Sequence, residues 1–398
     1  MDQIKNKADQ YEILPKTLFI SLAMLGFLVQ GDNTVISPIL PDIASDLNIF
    51  ISEAAYAVAG YLIPFGLFAL LHGPLADRFG QDKIILTAAL GTAIFSSASG
   101  LATSLPLLVF LRGMNGFFAA GIIPISVSLI GDLSKGKEKQ NRIGAYLGFT
   151  FLGQALGTAL GGSLTHYFSW RWVFILYGLM ELLALIMIYK ELMNTDIRGL
   201  STNFISYLKL LKRSKMSRLI PLILINGFIV YGSFAYLGSH LREVYGFSYI
   251  TVGFILSFFG LSAFVVGKRS GIMREKLSSF YFPIFGVIGS LSLGSYIFFG
   301  IHSSIILIMA LLGFGAAFIA FQSAFITLSQ NQAPKNTGTV MALVAFGLFG
   351  GGGLGTMTNR IILNMYSYTP IYILGAILFL VLAVSASLFL RGEKFSSQ

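Results

Sequence analysis

Cysteine is absent from the 398-residue sequence, which excludes disulfide scaffolds, thiol catalysis and cysteine-ligated metal or iron–sulfur sites. Charge is scarce: Asp, Glu, Lys and Arg make up 11% of the chain, less than half of what a water-facing globular surface carries. The four histidines, His72, His166, His240 and His302, are too scattered for a metal motif, so neither a metal nor a cofactor is expected. No phosphate-cradling loop ending in Gly-Lys-Ser/Thr occurs, so ATP is not expected to drive work from within the chain. Gly350, Gly352 and Gly355 match the dinucleotide fingerprint in letters only, since they lie inside an apolar run with no strand before it.

Apolar residues fill the space these absences leave. They form 55% of the chain, at a mean hydropathy of +0.78, and a polytopic membrane protein is the class that accommodates this. Apolar segments run at 17–40, 53–72, 84–102, 106–130, 143–166, 171–189, 219–239, 249–267, 279–300, 303–328, 338–362 and 368–390. Twelve spans of roughly 20 residues use about 240 residues and leave no room for a sizeable soluble domain. The first segment is long and interrupted by Gly31, Pro38 and Pro41, so it is expected to stay in the protein rather than be cleaved as a signal peptide.

Basic residues sort by side. If the N-tail, the even-to-odd loops and the C-tail share one side, they hold all but four of the 27 Lys and Arg. The exceptions are Arg112 inside a span and Arg171, Arg242 and Arg360 opposite. Such a bias predicts both termini in the cytoplasm of an inner or plasma membrane. The formal net charge of +10 then reflects topology and attraction to anionic headgroups, and nucleic acid is not an expected partner.

The most polar stretch, 190–218, predicts a linker between an N-terminal bundle, 1–189, and a C-terminal bundle, 219–398. Phe204, Leu208 and Leu211 beside Lys209, Lys212 and Arg213 predict a short amphipathic helix at the headgroup layer of the cytoplasmic side. Gly153, Gly157 and Gly161 have glycine counterparts 194 positions later at Gly347, Gly351 and Gly355. The expected fold is therefore all-α, with two pseudo-symmetric six-helix bundles of a monomer related by an axis along the membrane normal.

Several runs carry chemistry. After the second span stands Gly73-Pro74-Leu75-Ala76-Asp77-Arg78-Phe79-Gly80, followed by Gln81-Asp82-Lys83, where the glycines permit a tight turn. The fourth span holds Leu108, Arg112, Asn115, Gly116, Ala119 and Ala120, and a fixed cation inside a bilayer calls for a partner or a cavity. Asp32 in the first span is that partner by depth: at 1.5 Å per residue it lies about 12 Å, and Arg112 about 9 Å, from the same membrane edge. The pair reads either as a proton-coupling site or as a permanent ion pair. Glu181 is a second buried carboxyl, about 17 Å deep, expected as a protonated group bonded to a neighbouring helix or as a second protonation site. In the fifth span Gly153, Gly157, Gly161 and Gly162 give a smooth packing face. Trp170-Arg171-Trp172 predicts an interfacial aromatic anchor.

The post-span-2 run closely resembles the signature loop of the major facilitator superfamily, although Gln81 and Asp82 stand where that family has basic residues. The span-4 run resembles its second motif. The glycine run of span 5 resembles its antiporter motif, with Thr158 in place of the usual proline. The resemblance implies a cytoplasmic gate at Gly73, Asp77, Arg78 and Gly80. It also implies a central cavity lined by spans 1, 4, 7 and 10, onto which fall Asn33, Asn115, Asn226, Tyr231, Tyr236, Phe321 and Gln322. The function expected is proton-coupled export of small amphiphilic molecules or drugs by antiport, with no enzymatic activity. A dedicated exporter of a secreted metabolite such as a siderophore or metallophore is the main alternative. A nutrient:proton symporter or a non-transporting membrane enzyme or sensor follows.

Overall fold

The computed structural model describes residues 14–134, 136–192, 210, 214–298, 304–333 and 337–390. The amphipathic linker helix expected near 204–213 falls outside the described residues apart from Leu210. Within them all regular elements are helical, because in hydrocarbon a helix satisfies its own backbone donors and acceptors.

Span 1 consists of α1 (Lys16–Thr34) and α2 (Ile36–Asp46), bent by 47° across Val35. Pro38 explains the bend, since its ring cannot pack against the carbonyl four residues back, that of Thr34. Span 2 is α3 (Ile51–Ala54) with α4 (Tyr56–Phe79), and span 3 is α5 (Gln81–Ser99). Span 4 breaks between α6 (Leu105–Ala119) and α7 (Ile123–Asp132), where Pro124 excludes the Ala120 carbonyl in the same way. Spans 5 and 6 are α8 (Gly136–Tyr167) and α9 (Trp170–Leu192). Spans 7 and 8 are α10 (Ser214–Glu243) and α11 (Tyr249–Gly267). Span 9 runs from α12 (Ser270–Leu277) through a short 3₁₀ turn into α13 (Tyr281–Phe298). Spans 10 to 12 are α14 (Ser304–Gln332), α15 (Thr337–Met365) and α16 (Tyr368–Phe389).

Among the described residues ten spans are long and apolar enough to cross a bilayer unaided, and the bent α1–α2 pair makes eleven. The twelfth is α5, 19 residues long, whose hydrophilic first turn of Gln81, Asp82 and Lys83 dilutes its hydropathy.

Packing repeats between the halves. In the first half α1 lies on α8 and α9, α5 on α9 and α6, and α4 on α6. In the second half α10 lies on α15 and α16, α13 on α16 and α14, and α11 on α14. Exchanging spans 1 to 6 for spans 7 to 12 maps one set onto the other. The same exchange swaps the two long contacts between the halves, α4 with α15 and α8 with α11.

Glycines set these distances. Gly153 and Gly157 bring α8 onto the backbone of α1 at Phe27 and Gly31, while Gly351 and Gly355 bring α15 onto α10 at Leu224 and Phe228. The face with a glycine at every fourth position thus packs inside each half. Contact between halves uses other glycines: Gly162 against Gly253, Gly260 against Ala155, and Gly66 against Gly350.

Candidate functional site

Asp32 on α1 and Arg112 on α6 form a buried ion pair. Arg112 Nη1 donates to both carboxylate oxygens of Asp32, at 3.0 and 3.1 Å, and Nη2 donates to the Asp32 backbone carbonyl at 3.2 Å. Asn115 Nδ2 donates to Asp32 Oδ2 at 2.5 Å. The guanidinium is sandwiched by Tyr61, 4.5 Å from its ring centroid, and Phe174, 4.9 Å away. Asp32 is 1% exposed and Arg112 fully buried, so in this conformation the pair has no contact with solvent.

Asp32 faces into the first half rather than toward the second. Gln30, Thr34 and Ser37 occupy the opposite side of span 1, where Gln30 and Ser37 meet α10. A span can line the interface while its charged residue points away. Asn115 likewise serves Asp32. Tyr236 donates to Thr356 O at 2.9 Å between α10 and α15, and Phe321 stacks on Phe282 and packs against Phe379 within the second half.

What joins the halves at mid-depth is a chain of rings. Tyr61 and Phe65 on α4 lead to Phe349 on α15, 3.9 Å from Phe65 between centroids. Phe349 leads to Tyr231 on α10, Tyr231 to Phe318 on α14, and Phe318 to Phe151 on α8. Gln30 Nε2 donates to Tyr231 Oη at 3.1 Å and to Gln154 Oε1 at 3.3 Å, and Asn226 Nδ2 donates to Gln322 Oε1 at 3.1 Å. Asn33 Nδ2, Gln154 Nε2 and Asn226 Oδ1 are buried without a partner. Gln30, Gln154, Phe65, Phe318 and Phe349 escaped the sequence reading. The available signal was an amide in an otherwise apolar helix, which both glutamines display.

The halves also meet at each membrane face. On the face with few basic residues, Ser37 Oγ donates to Phe234 O at 2.6 Å and accepts from Gly238 N at 3.4 Å. Tyr249 reaches Asp42 at 3.5 Å, with Arg242 stacked over its ring at 3.8 Å. Trp170 is buried there, its backbone N–H on Asp42 and its indole N–H on Asp46, both at 3.2 Å. It ties the loop to span 1, and Trp172, 51% exposed, is the residue free to act as an interfacial anchor.

On the basic face α4 stays helical through Gly73, Asp77 and Arg78, and the turn falls on Gly80 alone, at φ 101°. The expected glycine-permitted loop is therefore one residue long. Gln81 Nε2 donates to Asp132 Oδ2 at 3.0 Å and Ser128 Oγ at 3.2 Å, beside Gly338 at the start of α15. Gly80→Ala is expected to lower stability by about 1–3 kcal/mol, because its backbone conformation is strained for any residue with a Cβ. Thermal unfolding in detergent measures it.

Twelve helical spans in two exchangeable halves, with glycine-tightened crossings between them and a buried ion pair beside a ring-lined seam, are the architecture of a polytopic membrane protein built from two repeats. The chain belongs to the Major Facilitator Superfamily, whose family model matches residues 22–356. It is similar to the puromycin resistance protein pur8 of Streptomyces alboniger, 33% identical over 160 residues, covering 40% of this chain and 32% of that one. It is similar also to multidrug resistance protein 3 of Bacillus subtilis, 30% identical over 181 residues, covering 44% and 35%. Each match thus spans about a third of the curated relative. In fold it is similar, at TM-score 0.72 and 20% identity over 96% of both chains, to a bacterial homologue of the human lysosomal transporter Spinster, solved inward-facing and unoccupied.

Proposed function

We propose that this chain is a proton-coupled exporter of small amphiphilic molecules, working by antiport in the plasma membrane with both termini in the cytoplasm. The observation that carries the reading is the ring chain across the seam. Phe65, Phe349, Tyr231 and Phe318 with the amides of Gln30, Gln154 and Asn226 offer apolar area and a few orienting dipoles, and no formal charge. Such a surface suits flat, lipophilic, weakly polar or cationic molecules. The names of the similar proteins, which speak of puromycin and multidrug resistance, agree with it.

A dedicated exporter of an anionic metallophore would need a free cation at the seam. Arg112 is spent on Asp32, whereas Arg360 of α15 lies over the Tyr56 ring of the first half with its Nε unpartnered, so efflux assays comparing dye cations with an anionic metallophore separate the two readings.

In the mechanism, outward opening parts the contacts at Ser37 and Asp42 and lets water reach the first half. Asp32 takes a proton and loosens from Arg112, and cargo leaves the ring-lined seam. Closure returns the proton to the inside.

The test uses inside-out vesicles and proteoliposomes with ethidium as cargo. Export driven by a pH gradient is expected in the parent and absent in Asp32→Asn, which should still exchange ethidium for ethidium. Ethidium transport unaffected by collapse of the gradient, or substrate-driven proton flux unchanged in Asp32→Asn, would remove Asp32 from the mechanism.

A further inference from the structure

The ion pair of Asp32 and Arg112 has a neighbour the mechanism above does not use. Glu181 on α9 is fully buried, and neither carboxyl oxygen has a hydrogen-bond partner. Thr92, the hydroxyl facing it from α5, gives its proton to Ala89 O at 3.0 Å. Glu181 lies within electrostatic reach of Asp32 on α1 and Arg112 on α6. Tyr177, one helical turn before Glu181, also lies within electrostatic reach of both carboxyls. Its hydroxyl occupies the notch left by Gly31 and Gly157, where a Cβ would come within 2.7 and 2.9 Å of Tyr177 Oη. That hydroxyl is buried and unpartnered, and so are Tyr61 Oη, Arg112 Nε and Asn115 Oδ1. Natural interiors rarely strand so many polar atoms together, and a set of donors and acceptors like this one is what a short chain of water satisfies.

Charge counting then fixes how many protons the cluster holds. Arg112 is always cationic. Two ionised carboxyls beside it would leave one uncompensated negative charge in a dry interior, and two protonated carboxyls would leave an uncompensated positive one. Both are expensive, and one proton over the two acids makes the cluster neutral. The Asp32 carboxylate accepts from Arg112 Nη1 at both oxygens and from Asn115 Nδ2, so the proton belongs on Glu181.

We propose that Glu181 and Asp32 share a single proton, which passes between them through the Tyr177 hydroxyl and water. In the step, the O–H bond of the Glu181 acid breaks as an O–H bond forms on Asp32. The negative charge moves from Asp32 to Glu181, and the net charge is unchanged. Gly157 of the span-5 glycine run thereby gains a second task, since a side chain there would expel the Tyr177 hydroxyl. The proposal rests in part on the proton-coupled reading, and the test separates the two.

The first arm is infrared spectroscopy of the purified full-length chain in lipid at neutral pH, with glutamate labelled at the side-chain carboxyl by carbon-13. The parent is expected to show a protonated glutamic acid band that is lost in Glu181→Gln. The same band should also vanish in Asp32→Asn, because Glu181 must then ionise to balance Arg112. Since this arm needs no transport, it stands even if coupling to protons fails. A band that persists in Asp32→Asn means a permanently protonated structural acid and overturns the proposal, as does the absence of any such band in the parent.

The second arm is ethidium transport. Tyr177→Phe and Glu181→Gln are each expected to slow gradient-driven export about tenfold, a barrier change of about 1.4 kcal/mol. Ethidium exchange should stay near the parent level. Rates equal to the parent in both variants would also overturn it. Should Glu181→Gln fail to yield monodisperse protein, the isotope label and the Asp32→Asn comparison assign the band without it.

Discussion

Arg112→Leu is expected to destabilise the protein by about 3–5 kcal/mol, the cost of leaving a buried carboxylate without its cation. Three guanidinium hydrogen bonds go at once, together with the contact to the Tyr61 and Phe174 rings. Asp32→Asn in the same background should recover most of the loss, since the second substitution removes the stranded charge. Arg112→Lys should fall between, at about 1.5–3 kcal/mol, because one ammonium cannot serve both the carboxylate and the Asp32 carbonyl while lying between two rings. Thermal unfolding in detergent of the three variants and the parent makes the comparison. A single-variant loss below about 1 kcal/mol would mean that water reaches the pair.

Gly253→Leu carries the second large effect, on transport rather than stability. A Cβ at Gly253 would come within 2.5 Å of Thr158 O and 3.1 Å of Gly162 Cα, so α8 and α11 cannot cross as closely. Each half keeps its own packing, and only their approach on the face near Tyr249 is blocked. Gradient-driven ethidium export should drop below detection while the unfolding temperature stays close to that of the parent. The cysteine-free sequence gives a clean reporter: in a Ser37→Cys background, an impermeant thiol reagent applied from the Ser37 side should label slowly without Gly253→Leu and rapidly with it. Slow labelling in both would show that this crossing does not control closure.

The fold was readable because hydropathy and charge vary strongly along this chain. Long apolar runs, basic loops on one side and the glycine offset led to the helix count and the paired halves. The apolar run at 84–102 marked span 3 even though three polar residues open α5. Reading failed where a local rule misled. Gly73 looked like a turn, yet it lies within α4, and of that run's glycines only Gly80 takes a positive φ.

At the site, depth along the helix was legible and direction around it was not. Counting residues brought Asp32 and Arg112 together. Which way Asp32, Phe321 or Tyr236 points could not be read, because spans apolar on every side carry little periodicity to mark a buried face. The seam itself depends on residues from α1, α4, α8, α10, α14 and α15 that no single motif contains. Gln30 and Gln154 were the exceptions that a rule about lone amides would have caught.

The bend at Val35 has a mechanical consequence. The arm before it, α1, is clamped to α8 through glycines, and the arm after it, α2, lies along α10 of the other half. Span 1 therefore behaves as an elbow whose forearm is held by the neighbour, and the joint sits three residues from Asp32. When the halves swing, the torque has less than one helical turn to travel before it reaches the carboxylate. A swing of the forearm and a loosened grip on Arg112 then become one motion, with no long relay between gate and acid.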